Sequence, residues 1–183
     1  TVAEHAFALL LSVARKLPNA WAMNLAKKYQ VKDLKGFDLR GKTLGVIGAG
    51  KIGKNVIKIA HGFGMEILAT DIYRDPLLAE ILDFSYVNLK TLLKKSDIIS
   101  LHTPYDQSTH HLINSQNIKL MKRGVIMLNT ARGGVIDTKA LLQALNNGAI
   151  AAVGLDVLEE ESLIIKNKKP KPAHQEIYNL NRK

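Results

Sequence analysis

The stretch Leu44-Gly45-Val46-Ile47-Gly48-Ala49-Gly50-Lys51-Ile52-Gly53 governs the reading of the whole chain. An apolar run of strand character opens into Gly-x-Gly-x-x-Gly. An amphipathic segment follows, with Ile52, Val56, Ile57, Ile59, Ala60 and Phe63 at mostly helical spacing. A second apolar run, Met65 to Thr70, ends in Asp71. Strand, glycine turn, helix, strand and acid in that order form a dinucleotide-binding fingerprint, and each part has a mechanical reason. Gly48 allows the sharp turn off the strand, Gly50 leaves room for a pyrophosphate, and Gly53 lets the helix lie close to the sheet. The free N–H groups and positive dipole end at the start of the helix favour the phosphates. A carboxylate at Asp71 suits the adenosine ribose hydroxyls and repels a 2′-phosphate, so NAD is expected over NADP. Arg74, three residues on, pulls the other way.

Outward from this core the chain alternates. Strands are expected at 43–48, 65–70, 98–102, 125–130 and 151–156, with a possible short one near Tyr86. Helices are expected at 51–62, 88–95, 114–121 and 137–147. The strands are short apolar runs rather than alternating ones, as in a parallel sheet covered on both faces. The fold class read from this pattern is a doubly wound parallel α/β sheet, a Rossmann NAD(P)-binding domain. Ahead of it, residues 2–17 place Ala3, Ala6, Phe7, Leu10, Val13, Ala14 and Leu17 on one helical stripe, with Pro18 expected to end the helix. Leu9 and Leu11 make its other sides apolar, which raises burial against a second subunit. Residues 19–40 read as a polar mixture of helix and loop.

Bulk composition limits the function classes. The 183 residues are 46% hydrophobic, enough for one domain with a sizeable core. There is no cysteine, which excludes disulfides, thiolate metal ligands and a cysteine nucleophile, and no metal site is expected. No apolar run reaches transmembrane length, so neither a membrane nor an export signal is expected and a cytoplasmic setting fits. The net charge is +10, but residues 166–183 hold six Lys/Arg against one Glu, and the rest is thinly spread. Without a basic stripe interleaved with aromatics, a nucleic-acid partner is not expected. The division expected is 1–165 as the dinucleotide-binding domain and 166–183 as a basic loop or insertion.

The second half carries polar residues at strand ends, where such sheets hold their ligands. These are Leu101-His102-Thr103-Pro104, followed by Thr109; Leu128-Asn129-Thr130-Ala131-Arg132-Gly133-Gly134; and Gly154-Leu155-Asp156-Val157-Leu158-Glu159-Glu160-Glu161. Arg132, just past an apolar strand and before two glycines, reads as an anion clamp, because its planar fork grips a carboxylate through two hydrogen bonds. The triple Glu run, taken alone, reads as a water-facing charge run. Spacing does not choose among its members.

These segments, together with Thr1-Val2-Ala3-Glu4-His5 and Leu39-Arg40-Gly41-Lys42-Thr43-Leu44, resemble the nucleotide-binding domain of the D-isomer-specific 2-hydroxyacid dehydrogenases. They follow the family's order up to about Ile165. Tyr105 to Asn114 and the stretch after Glu161 point to the D-lactate dehydrogenase branch. The resemblance implies hydride transfer between NADH and a 2-oxo acid, and a homodimer. It also implies residue roles. Arg132 would bind the substrate carboxylate beside the cofactor, and Glu161 would pair with the acid/base histidine. Asp156 would lie near the nicotinamide carboxamide. Thr103, Pro104, Thr109, Thr130 and Ala131 would line the cofactor, with Lys51 and Ile52 beside the pyrophosphate. The family's histidine normally follows a Pro downstream of the glutamate, and no Pro-His pair occurs here; His174 has no preceding strand and is rejected. The chain also opens at Thr1 rather than Met. It is therefore expected to be a fragment lacking the last strand and the substrate domain. The alternatives are an NAD(H)-sensing module like the corepressors of this fold, or a truncated inactive relic.

Asp71 is expected to set cofactor choice. A hydrogen bond to a charged group is worth about 1.5–3 kcal/mol, so Asp71→Ala should weaken NADH roughly tenfold to a hundredfold. Fluorescence titration measures it; unchanged affinity, or NADPH binding tighter than NADH in the wild type, would refute the assignment.

Overall fold

β1 (Thr43–Ile47) runs through the middle of a six-stranded sheet. The computed structural model describes residues 1–27 and 31–161; the expectations for the basic segment 166–183, the boundary at 165 and His174 lie outside the described residues. The other strands are β2 (Glu66–Thr70), β3 (Ser85–Tyr86), β4 (Ile98–Leu101), β5 (Val125–Asn129) and β6 (Ile150–Leu155). Their order is β3-β2-β1-β4-β5-β6 and every pairing is parallel. This is the doubly wound order in which the chain winds outward from β1 in both directions.

Both faces of the sheet are covered, for the reason that the strands lack polar alternation. On one face Leu44 and Val46 of β1, Ile98 of β4 and Leu128 of β5 join Phe7, Leu10, Val56 and Ile57. The last four come from α1 (Val2–Ala14) and α3 (Lys51–Gly62). On the other face Ile47, Ile99, Leu101 and Met127 meet Leu92, Leu93 and Leu141. These belong to α5 (Leu89–Lys95) and α7 (Thr138–Asn146). Consecutive strand residues thus feed opposite cores, the period of two that a strand imposes.

The structure departs from the sequence reading at the N-terminal end. α1 stops at Ala14, and Lys16 takes a left-handed conformation at φ 52°. Pro18 does not terminate α1; it sits in the first turn of α2 (Leu17–Leu25), where its missing N–H is harmless. Leu17 accordingly leaves the α1 stripe and is exposed. Leu9 and Leu11 are partly buried against the core of their own chain, and a Cβ on Gly154 of β6 would come within 2.9 Å of the Leu9 Cβ. Two short helices also occur, the unanticipated α4 (Pro76–Ile81), capped by Asp75, and α6 (Ser115–Ile118), which is shorter than expected. Both are too brief for periodicity to reveal their extent.

The glycine turn is built by close packing. Gly48 has φ +95°, and a Cβ there would meet the His102 backbone at 2.7 Å. A Cβ on Gly53 would lie 2.0 Å from the Gly48 carbonyl oxygen, so α3 can approach β1 only because Gly53 has none. Gly62, at the far end of the same helix, faces open space. Gly53→Ala is therefore expected to destabilise the fold by about 1–3 kcal/mol through overpacking. Gly62→Ala should instead stabilise it by roughly 0.5–1 kcal/mol through reduced backbone entropy of the unfolded chain. Thermal unfolding of both variants checks the pair, and equal shifts would contradict the packing account.

Candidate functional site

Register places the candidate residues on one edge of the sheet. Thr70 of β2 pairs with Ile47 of β1, Ile47 with Leu101 of β4, Leu101 with Asn129 of β5, and Asn129 with Leu155 of β6. The residues that follow each of these are Asp71, Gly48, His102, Thr130 and Asp156, so five chain segments leave the sheet together at its carboxyl edge.

At the centre of that edge, the Gly48 N–H donates to the Thr70 carbonyl at 2.9 Å and the chain turns into α3. Gly50 is exposed, with nothing within 4 Å of where a Cβ would stand. Lys51 and Ile52 open the helix and are both exposed. The cradle at the start of α3 is therefore open in front and closed behind, with Gly53 against the strand. Asp71 accepts from the Ala49 N–H at 2.6 Å and the Tyr73 N–H at 3.0 Å. Its carboxylate thus ties the glycine turn to the exit of β2, a structural duty the sequence reading did not anticipate.

Beside β1, the loop after β4 brings Thr103 and Pro104 to the same edge. His102 is mostly buried and its Nε2 lies 2.8 Å from the Ser100 hydroxyl. Burial pushes its pKa down from 6.5 to about 4, leaving a neutral ring at pH 7. The Thr109 hydroxyl donates to the Pro104 carbonyl at 2.8 Å and accepts from the Asp106 N–H at 2.9 Å, closing the loop on itself. Among the described residues, three buried polar atoms in this region have no hydrogen-bond partner: Thr103 Oγ1, Thr130 Oγ1 and His102 Nδ1. Buried polar groups are normally satisfied, so two orphan hydroxyls at neighbouring strand ends fit a site that a ligand completes.

The turn after β5 is pinned from within. Buried Asn129 accepts from the Ala131 N–H and donates to the Arg132 carbonyl, both at 3.0 Å. Arg132 is exposed, and its Nη1 donates to the Ala131 carbonyl at 2.7 Å. A Cβ on Gly133 would stand 2.1 Å from the Leu158 carbonyl carbon, so the Arg132 turn lies directly against the segment that carries the three glutamates. Asp156, after β6, reaches the His5 Nε2 at 3.2 Å and so joins the start of α1 to this edge. Glu161 accepts from the Leu158 N–H at 3.0 Å.

Glu159 differs from the water-facing charge read from the sequence. It accepts from the Thr138 hydroxyl at 2.6 Å and the Thr138 N–H at 3.2 Å, and it meets His111 Nε2 at 2.7 Å. Burial opposes its ionisation, but the bonds from His111 and Thr138 outweigh that and hold its pKa below the usual carboxylate range. No local pattern marks it, because its partners lie 21 and 48 residues away. Among the described residues no cluster of three or more His, Asp or Glu has the form of a metal site, and no helix is long and apolar enough to cross a membrane.

The model of the D-isomer specific 2-hydroxyacid dehydrogenase NAD-binding domain matches residues 7–182. The chain belongs to this family. It is 49% identical over 162 residues to a hydroxypyruvate reductase of Thermotoga maritima, covering 88% of this chain and 52% of the relative. With a glyoxylate reductase of Thermococcus litoralis it shares 45% over 166 residues, covering 87% and 50%. The crystal structure of an Aquifex aeolicus D-lactate dehydrogenase complexed with NAD and lactic acid superposes with a TM-score of 0.92 at 39% identity, over all of this chain and 56% of that one. The chain spans about half the length of the relatives it matches. The NAD-binding domain and its parallel sheet are as the sequence reading expected. The relatives carry several different acid substrates in their names, so family membership alone leaves the acid open.

His102 makes stability depend on pH. The unfolded chain takes up this proton below about pH 6.5, whereas the folded chain resists it until about pH 4. Stability from this group is therefore complete above the window and is lost as pH falls through it, about 3 kcal/mol by pH 4. Unfolding melts from pH 7 to pH 4 should show a smaller acid loss in His102→Gln than in the wild type; parallel curves would refute the assignment.

Proposed function

We propose that the complete protein to which this chain belongs is an NAD-dependent oxidoreductase that interconverts a 2-oxo acid and its D-2-hydroxy acid, with D-lactate as the hydroxy acid. The observation that carries this reading is the close approach of Gly133 to the Leu158 backbone, which sets the turn bearing the exposed Arg132 beside the segment holding Glu161. The lactate assignment draws on the Tyr105-to-Asn114 stretch and on the likeness to the Aquifex enzyme.

In this reading Gly48, Gly50, Lys51, Ile52 and Gly53 receive the pyrophosphate, and Asp71 receives the adenosine ribose. Thr103, Pro104, Thr109, Thr130, Ala131, Arg132 and Asp156 line the nicotinamide half. The orphan hydroxyls of Thr103 and Thr130 and the open space at Gly50 fit such a ligand. Bound NADH supplies the hydride, and the protein supplies geometry and charge. Arg132 grips the carboxylate through its fork and polarises the adjacent carbonyl, an interaction that strengthens as the oxygen gains negative charge. Glu161 accepts from, orients and raises the basicity of the histidine that protonates this oxygen. That histidine belongs to the part of the protein outside the described residues. A cytoplasmic homodimer belongs to the same proposal; Leu17, Trp21 and Leu25, four residues apart along α2 and all exposed, offer an apolar face for pairing.

Arg132→Lys in the full-length protein tests the reading. Lysine keeps the charge and loses the fork, so kcat/KM for pyruvate should fall roughly a hundredfold, which is about 3 kcal/mol. The Kd for NADH should hardly move. Near-normal turnover would refute the anchor role, and NADH binding without turnover of any 2-oxo acid in the wild type would favour an NAD(H)-sensing module.

A further inference from the structure

The triple glutamate has a division of labour. Glu161 accepts from the Leu158 N–H at 3.0 Å, and its own N–H donates to the Leu158 carbonyl at 3.3 Å, closing a turn in which Glu160 takes a left-handed conformation at φ 57°. Such a turn is not self-sufficient, because a left-handed non-glycine residue costs free energy that its surroundings must offset. Glu159, the residue before Glu160, ties the turn to two other parts of the domain. One oxygen of its carboxylate meets His111 on the loop after β4, and the other accepts both donors of Thr138 at the start of α7. His111 is itself held: its N–H donates to the Gly134 carbonyl at 2.9 Å, its ring stacks on His110 at 3.8 Å, and His110 Nδ1 meets the Tyr105 hydroxyl at 3.0 Å. A Cβ on Gly134 would strike the Tyr105 ring at 2.6 Å, so this chain of rings rests on the Arg132 turn.

We infer that Glu159 is a positioning residue: with His111 and Thr138 it clamps the turn that presents Glu161, and it does so without touching substrate or cofactor. The inference rests on the reading of Glu161 as the partner of the acid/base histidine. A loosened turn leaves the Rossmann fold and the NADH cradle intact but lets the Glu161 carboxylate wander, and a misplaced partner lowers turnover rather than affinity.

The experiment uses the full-length protein with Glu159→Gln, Glu161→Gln and the double variant, measuring kcat, KM for pyruvate and the Kd for NADH. Glu159→Gln should lower kcat about tenfold, the scale of a lost charge-assisted hydrogen bond, with NADH binding unchanged. In the Glu161→Gln background the same change should cost little further, because the group being positioned is gone. Hydrogen exchange of residues 156–161 should quicken in Glu159→Gln while that of α3 does not. Should Glu159→Gln fold poorly, His111 gives the same information: His111→Ala should lose turnover and His111→Gln, which keeps a donor, should recover most of it. A fully active Glu159→Gln beside an impaired Glu161→Gln overturns the clamp and leaves the proposed function standing. Equal losses in both backgrounds also overturn it, as the mark of a general structural role. Full activity in Glu161→Gln overturns the role of Glu161 and the clamp with it.

Discussion

Parallel register is the constraint on which the rest depends. Because Thr70, Ile47, Leu101, Asn129 and Leu155 pair in one row, the next residue of each strand leaves the sheet at the same height. A slip of one residue in any strand would exchange its two faces and sink its terminal residue into the wrong core. The apolar period of two on β1, β4 and β5, feeding one core with Val46, Ile98 and Leu128 and the other with Ile47, Ile99 and Met127, guards against that slip. Burial on both faces therefore does more than stabilise the domain. It fixes the ruler against which Gly48, Asp71, Thr130 and Asp156 are aligned.

Beyond the sheet edge, order is kept by small numbers of polar side chains rather than by apolar mass. Asp71 holds the glycine turn, Asn129 holds the Arg132 turn, and Glu159 holds the last one. Each accepts backbone N–H groups that the loops cannot satisfy among themselves, and each is shielded enough for those bonds to count. Among the described residues, the buried hydroxyls of Thr103 and Thr130 at the same sheet edge have no hydrogen-bond partner. Pinned turns surrounding unfilled donors are what a preorganised binding edge requires.

Much of this was legible along the chain, because the signals are local. The Gly48-x-Gly50-x-x-Gly53 spacing, the apolar runs and Asp71 all lie within windows where backbone sterics and hydrophobic period dictate the outcome. The same locality explains the failures. Pro18 suits the end of one helix or the start of another, and only the left-handed turn at Lys16 decides for the start. α4 spans six residues, too few for a periodic signal to mark it.

By itself, the sequence determined the order of the strands and of the longer helices between them, the glycine turn and the family, since each is written in neighbouring residues. Tertiary structure alone decided which carboxylate of Glu159-Glu160-Glu161 is tied to His111 and Thr138, that Asp71 braces the glycine turn, and that Gly133 stands against the Leu158 backbone. Those outcomes join residues 21 to 48 positions apart in the chain. No periodicity encodes them, because they arise only when register brings separate strand ends to one edge and backbones touch where glycine leaves room.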